Sequence, residues 1–195
     1  MVRDGTVGSI ERRVFEAING LPEALSPVMQ AAQFLGVLAV GPIVAVAALI
    51  LRRYRLALAA ILVTVGKLAA ERTVWRFVSR ARPGVTEPEA IVRGGTAARG
   101  VSFVSGHVVL LTALAWVITP YLRGRWRIVP WAAVGLVVFA RVYLGAHNPL
   151  DVVGGAGLGL AVGALANPDR ADRHAFRERQ HTRGRRPSGR RVRAP

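Results

Sequence analysis

Residues 29–51 restrict the fold of this chain more than any other feature, because they contain no charged side chain over the length of a membrane span. Twenty-odd helical residues, rising about 1.5 Å each, cover the roughly 30 Å of a bilayer's hydrocarbon core. The stretch ends at the basic run Arg52-Arg53-Tyr54-Arg55. This pattern predicts a membrane-spanning helix that ends at a membrane surface.

Four further apolar segments follow, at about residues 56–76, 107–122, 128–144 and 150–166. The chain of 195 residues is 52% hydrophobic, yet it carries a formal charge of +16. A soluble domain would spread such charges along its sequence, whereas here they collect between the apolar segments. We therefore expect an all-α integral membrane helical bundle of about five transmembrane helices.

Three regions are expected. Residues 1–28 form an interfacial amphipathic segment, since the spacing of Ile10, Val14, Phe15 and Ile18 places them on one helix face. Residues 29–166 form the membrane domain. Residues 167–195 are rich in arginine and lack apolar periodicity, which predicts a disordered tail that contacts anionic lipid headgroups. Nucleic-acid binding by this tail is the weaker interpretation, because the tail directly follows a membrane helix.

The basic loops predict the orientation in the membrane. With five crossings, the clusters at residues 52–55 and 123–127 lie on the same side as the tail, and the positive-inside rule makes that side cytoplasmic. The connection 77–104, the start of the third segment and the turn after the fourth then lie outside the cytoplasm. The sequence thus predicts a multi-pass protein of the cell membrane.

Polar residues collect at this extracytoplasmic end of the apolar segments, where they are costly unless they perform a function. The guanidinium groups of Arg82 and Arg141, a serine hydroxyl and the start of a helix at Ser105-Gly106-His107 suit the oxygens of a phosphate. Of the two histidines there, His107 and His147, one could attack phosphorus while the other protonates the leaving oxygen. This arrangement requires no metal and no cofactor.

A carboxylate accompanies the second histidine. Asp151 follows His147 by four residues, so its side chain could reach the imidazole and fix the tautomer that leaves the other ring nitrogen free. The spacing of Arg141, His147 and Asp151 resembles the third motif of the type 2 phosphatidic acid phosphatase superfamily, with Ala140 where serine is usual. That family consists largely of membrane lipid phosphatases.

The other two motifs of the family are present with departures. Ser105-Gly106-His107 matches the second motif, with Val104 in place of proline. Arg82-Pro83 matches half of the first motif, but Trp75 stands where a lysine is expected. The missing charge could come from Arg76 or from Arg72. We expect it to come from Arg76.

The resemblance implies roles for the site residues. His147 would be the nucleophile that forms a phosphohistidine, Asp151 its orienting partner and His107 the acid for the leaving group. The substrate would be a lipid phosphate or diphosphate whose tail stays in the bilayer, such as undecaprenyl diphosphate, phosphatidic acid or phosphatidylglycerol phosphate. The phosphate would be held by Arg82, Arg141, Ser105, Gly106 and Arg76.

Two other functions remain compatible with the sequence. The departures from the motifs allow a catalytically weakened membrane protein that binds or carries anionic lipid. A small transporter is the second, because Lys67 and Glu71 lie four apart within an apolar segment and could pair there. A local neutralisation of charge inside the bundle is the favoured interpretation of that pair. The sequence leaves the oligomeric state open.

Overall fold

The structure is a computed structural model that describes residues 6–87 and 89–167, and this part of the chain is helical. The prediction of an all-α fold is confirmed, since the only β-type pairing among these residues is one isolated bridge between Ala81 and Val101. Apart from Asn167, the predicted basic tail lies outside the described residues. The α-helices in this part of the chain are α1 (Ser9–Asn19), α2 (Ser26–Gln33), α3 (Val40–Ile50), α4 (Tyr54–Trp75), α5 (Pro83–Thr86), α6 (Gly106–Ile118), α7 (Val129–Tyr143) and α8 (Pro149–Leu165).

Helix α6 is the centre of the bundle and packs on α4, α7 and α8. Its closest neighbour is α8, whose small residues let the two backbones approach. A Cβ at Gly159 would stand 2.6 Å from the Val109 carbonyl oxygen, and one at Gly155 would stand 2.9 Å from the Ser105 carbonyl oxygen. Small residues permit this close packing between apolar helices. The approach fixes the first turns of α6 and α8 side by side.

The first apolar stretch is not one continuous helix, so the prediction for residues 29–51 is wrong in this respect. Helices α2 and α3 are separated by a turn at Phe34–Gly36 and differ in direction by 62°. Pro42 fits the first turn of α3, where its missing N–H costs no hydrogen bond. A Cβ at Gly36 would stand 2.7 Å from His107 Cβ. The break therefore brings this turn against the start of α6.

The number of membrane crossings stays a prediction. Within the described ranges, Gly124–Tyr143 is the one helical stretch both long and apolar enough to span a bilayer, and the bent pair α2 and α3 qualifies if counted as one span. The apolar helices at Gly106–Tyr121 and Pro149–Leu165 are shorter. Helix α4 has 22 residues, but its second half carries several charged side chains.

Helix α1 packs through a face that includes only part of the apolar set predicted from its spacing. Ile10 and Val14 are exposed, whereas Glu11, Phe15 and Asn19 are buried. The two polar members of this buried face have internal partners: the Asn19 amide binds backbone groups of the 77–104 connection and of α7, and Glu11 forms an ion pair. Helix α1 is thus docked on the polar end of the bundle.

The connection 77–104, expected as a surface loop, contributes buried charged and polar side chains. Arg93 is 6% exposed; its Nη1 donates to the carbonyl oxygens of Asn19 and Tyr143, both at 2.8 Å, and its Nε donates to Glu23 at 2.6 Å. Arg80 and Ser102 are fully buried. Because these groups find partners inside the protein, the connection lies against the bundle.

Candidate active site

The turn between α7 and α8 presents His147, which is 3% exposed. Its shape depends on Gly145, whose φ of 70° lies in the left-handed region that favours glycine. A Cβ at Gly145 would also stand 2.6 Å from the Ile91 carbonyl oxygen. The N–H groups of Ala146 and His147 both donate to the Arg141 carbonyl oxygen, at 3.0 and 3.2 Å. The turn therefore places His147 directly after the last residues of α7.

Asp151 lies in the first turn of α8, fully buried, and its carboxylate accepts three hydrogen bonds. The donors are Arg80 Nη1 at 3.0 Å, Ser102 Oγ at 2.5 Å and the Asn148 N–H at 2.8 Å. His147 Nδ1 stands 3.9 Å from Asp151 Oδ2, too far for a hydrogen bond. The Ser102 hydroxyl contacts both, since its Oγ is also 3.3 Å from Nδ1. The hydrogen-bonded connection between His147 and Asp151 therefore runs through Ser102.

Arg80, which the sequence indicated only as a loop residue, joins α1 to this cluster. Its guanidinium donates to Glu11 at 2.9 and 2.6 Å and to Asp151 at 3.0 Å. Burial alone would lower the pKa of Arg80, but the hydrogen bonds to Glu11 and the charge of Asp151 outweigh burial and raise it. Glu11 also accepts the Leu150 N–H at 2.9 Å. The sequence offered one hint that Arg80 belongs to the site, which is its position two residues before Arg82.

Four predicted phosphate-binding residues meet at the start of α6 and the turn before α8. Ser105 directly precedes α6, and its N–H donates to the Asp151 carbonyl oxygen at 3.1 Å. Arg82 Nη1 donates to the Ala146 carbonyl oxygen at 3.1 Å, next to His147. Arg141 Nη1 donates to Gln33 Oε1 at 2.6 Å, a partner that sequence reasoning missed. Gly106, the fourth, begins α6.

Three buried donors of this group have no hydrogen-bond partner among the described residues, namely Ser105 Oγ, Arg82 Nε and Arg141 Nε. Buried polar groups are nearly always hydrogen-bonded, and two of these belong to permanently charged side chains. A phosphate has several acceptor oxygens and is the kind of ligand that accepts from donors of this type. The arrangement therefore suits an anion at the N-terminal end of α6.

The environment of His147 favours its neutral form. Burial lowers the pKa of His147 well below its ordinary value, and the positive charges of Arg141 and Arg82 lower it further. A neutral imidazole keeps one ring nitrogen with a free lone pair. His147 can therefore act as a nucleophile, while His107 lies in the first turn of α6.

The structure does not bring Arg76 to this cluster, although the sequence favoured it as the substitute for the missing lysine. Arg76 and Arg72 are exposed near the C-terminal end of α4. Lys67, two turns earlier, lies against the start of α6 instead. A Cβ at Gly106 would stand 2.9 Å from Lys67 Nζ and would overlap Glu71, which pairs with Lys67 at 2.6 Å.

A sequence profile described as the PAP2 superfamily matches residues 53–174, more than half of the chain. The chain belongs to the PAP2 superfamily. The resemblance drawn from the three motifs is thereby confirmed. A lipid A 4'-phosphatase from Porphyromonas gingivalis is 36% identical over 64 residues, which are 31% of this PAP2 chain and 26% of the relative. The match thus spans only about a quarter of that relative's length.

Two solved PAP2-like structures share the fold. Aquifex aeolicus LpxE superposes with a TM-score of 0.70 at 22% identity, covering 82% of this chain and 95% of LpxE. The first transmembrane PAP2-type phosphatidylglycerolphosphate phosphatase from Bacillus subtilis gives 0.66 at 20% identity, covering 88% and 91%. These similarities show that the helices of this PAP2 protein have the arrangement found in membrane relatives.

Proposed function

We propose that this PAP2 protein is a membrane phosphatase that releases phosphate from a lipid phosphate or diphosphate at the extracytoplasmic face. The observation that supports this most is the group of three buried donors at Ser105, Arg82 and Arg141, beside the buried His147; none of the three has a partner in the part of the chain that the structure describes. An anion there would sit between fixed positive charges and a neutral nucleophile. Preorganised donors of this kind stabilise the charge that develops during phosphoryl transfer.

In the first step, a ring nitrogen of His147 attacks phosphorus and a P–N bond forms. The bond between phosphorus and the lipid oxygen breaks, and its electron pair leaves with the lipid. The negative charge of the bound phosphate favours the protonated form of His107, which gives a proton to that oxygen. The lipid then departs as a neutral alcohol or, from a diphosphate, as a lipid monophosphate. Arg82 and Arg141 balance the negative charge of the transferred group.

In the second step, water attacks phosphorus and the P–N bond breaks. Neutral His107 takes one proton from the water, which restores its starting state, while His147 regains its lone pair. Inorganic phosphate leaves. No oxidant or further reactant enters, and the sum of both steps is hydrolysis of one phosphate ester or anhydride bond.

Lys67 supplies the third positive charge at the phosphate in this proposal, in place of Arg76. The lysine of the usual first motif is replaced by Trp75, which is 43% exposed. Lys67 lies beside Gly106 inside the bundle, held by Glu71. A flexible ammonium group at this position can turn from the carboxylate to a phosphate oxygen when substrate binds.

The substrate class rests on the membrane fold together with the names of the similar proteins. One is a lipid A 4'-phosphatase and another is a phosphatidylglycerolphosphate phosphatase. Both names describe a phosphate on a membrane lipid. We extend the candidates to phosphatidic acid and to isoprenoid diphosphates such as undecaprenyl diphosphate, whose tails would likewise remain in the bilayer.

Phosphate release from purified protein in detergent tests this proposal. The substrates are phosphatidic acid, phosphatidylglycerol phosphate, lipid A and undecaprenyl diphosphate, each assayed with EDTA. Wild type should release phosphate, and His147→Ala should abolish release while His174→Ala, a histidine of the tail, should not. Trapping with radiolabelled substrate should give an acid-labile phosphoprotein in wild type alone. Full activity of His147→Ala would refute the mechanism, and binding without release would indicate a lipid-binding protein.

A further inference from the structure

The hydroxyl of Ser102 stands between the two residues that the family motif would pair directly. Ser102 is fully buried, and its Oγ lies 2.5 Å from Asp151 Oδ2 and 3.3 Å from His147 Nδ1. The ring and the carboxylate themselves are 3.9 Å apart. Among the described residues, the hydrogen-bonded connection between the His147 ring and the Asp151 carboxylate therefore passes through this one oxygen.

Counting protons determines the direction of each hydrogen bond. The Asp151 carboxylate accepts from Arg80 and from the Asn148 N–H, as expected of an ionised group that can only accept. The single Ser102 proton is therefore donated to Asp151. The Ser102 oxygen then offers lone pairs to His147, which favours the tautomer that carries the proton of the neutral ring on Nδ1.

We propose that Ser102 is a positioning residue that holds His147 in the tautomer protonated at Nδ1, leaving the lone pair on Nε2 for attack on phosphorus. Asp151 acts on the histidine through Ser102, and Arg80 and Asn148 hold Asp151. As His147 gains positive charge during transfer, the Ser102 oxygen, polarised by the carboxylate, stabilises the Nδ1–H. The catalytic consequence rests on the proposed function, whereas the tautomer assignment does not.

Nitrogen-15 NMR of histidine-labelled, full-length protein in detergent tests the assignment without any substrate. The chain has four histidines, so the His147 signals can be identified by their loss in His147→Gln. Wild type should show His147 protonated at Nδ1. In Ser102→Ala the signal should move toward the form protonated at Nε2, which water favours for a free imidazole.

Thr112→Val is the matched control, because it also removes a buried hydroxyl from this region. Thr112 is 1% exposed on α6, and its Oγ1 has no partner within the described ranges. This variant should keep the wild-type tautomer. Ser102→Cys retains a weak donor of similar size and should give an intermediate spectrum, which also keeps the test decisive if Ser102→Ala does not fold.

Kinetics provide the second measurement. Ser102→Ala should lower kcat about 10- to 100-fold, by analogy with the loss found when groups that orient metal-ligating histidines are removed, with little change in KM. Ser105→Ala should instead raise KM, because its hydroxyl faces the phosphate in the proposed function. An unchanged His147 tautomer in Ser102→Ala would overturn the inference. If wild type releases no phosphate, the proposed function fails, and the NMR result still decides the role of Ser102.

Discussion

Lys67 Nζ lies 2.6 Å from Glu71 Oε2, and both side chains lie directly against Gly106 at the start of α6. The pair is largely buried, with side-chain exposures of 12% and 11%. Lys67 is the single lysine of the sequence. In the proposed function, this position makes the pair part of the phosphate site, a role beyond neutralising charge within the bundle.

Lys67→Met should weaken inhibition by vanadate, which resembles the phosphoryl group in the transition state of its transfer. A hydrogen bond to a charged group contributes about 1.5–3 kcal/mol, so the inhibition constant should rise roughly 10- to 100-fold. Inhibition of phosphate release measures this directly. Arg76→Ala is the control on the same helix, and its exposed side chain should leave the constant unchanged. If vanadate inhibition weakens in Arg76→Ala and not in Lys67→Met, Arg76 would be the residue that contacts the phosphate.

Gly106→Ala should abolish phosphate release. A Cβ at this position would overlap Glu71 and crowd Lys67, so the pair would have to move away from the start of α6. Gly135→Ala is the matched control, because Gly135 is exposed within α7 and a Cβ there would meet nothing within 4 Å. Alanine favours helix by about 1 kcal/mol, so this control should be neutral or slightly stabilising. Comparable activity in both variants would contradict the described packing.

Glu11→Ala should destabilise the protein, because it leaves buried Arg80 with Asp151 as its one remaining carboxylate partner among the residues that the structure describes. Removing one member of a buried ion pair costs about 3–5 kcal/mol. The thermal unfolding midpoint in detergent should therefore drop by several degrees. Glu16→Ala lies on the exposed side of α1 and should have little effect. Equal midpoints for the two variants would show that α1 is not docked through Glu11.

The lowered pKa of His147 should make stability depend on pH. An ordinary histidine takes up a proton near pH 6.5, so the unfolded chain gains a proton below about that pH while folded His147 stays neutral. The unfolded state then binds more protons than the folded state. The free energy of unfolding therefore decreases as the pH is lowered, by at most about 1.4 kcal/mol per pH unit. The unfolding midpoint of wild type should fall more steeply than that of His147→Gln between about pH 7 and about pH 5. Parallel curves would contradict the pKa direction.

Local spacing made the helices and the motif residues predictable. The apolar segments predicted from residues 128–144 and 150–166 correspond closely to α7 and α8, because length and composition determine such helices. Ser105 could be placed at the start of a helix because an apolar segment begins two residues after it. The spacing of Arg141, His147 and Asp151 needed no knowledge of tertiary structure.

Contacts between distant parts of the chain were not predictable in this way. Glu11, Gln33 and Arg80 come from α1, α2 and the connection before α5, and nothing in their local sequence indicates a partner. Ser102 occupies the space between His147 and Asp151, and spacing alone suggested direct contact between those two. Packing in three dimensions decides these partners.

The ion pairs of Arg80 also determine when, during synthesis of the chain, the buried charges of the site can all be paired. A ribosome delivers Glu11 first, Arg80 69 residues later and Asp151 a further 71 residues after that. Until α8 has been made, a nascent chain can offer Arg80 only one of its two carboxylates. The candidate site therefore cannot be assembled before α8 has been made, and the arrival of α8 is the event that completes its charges.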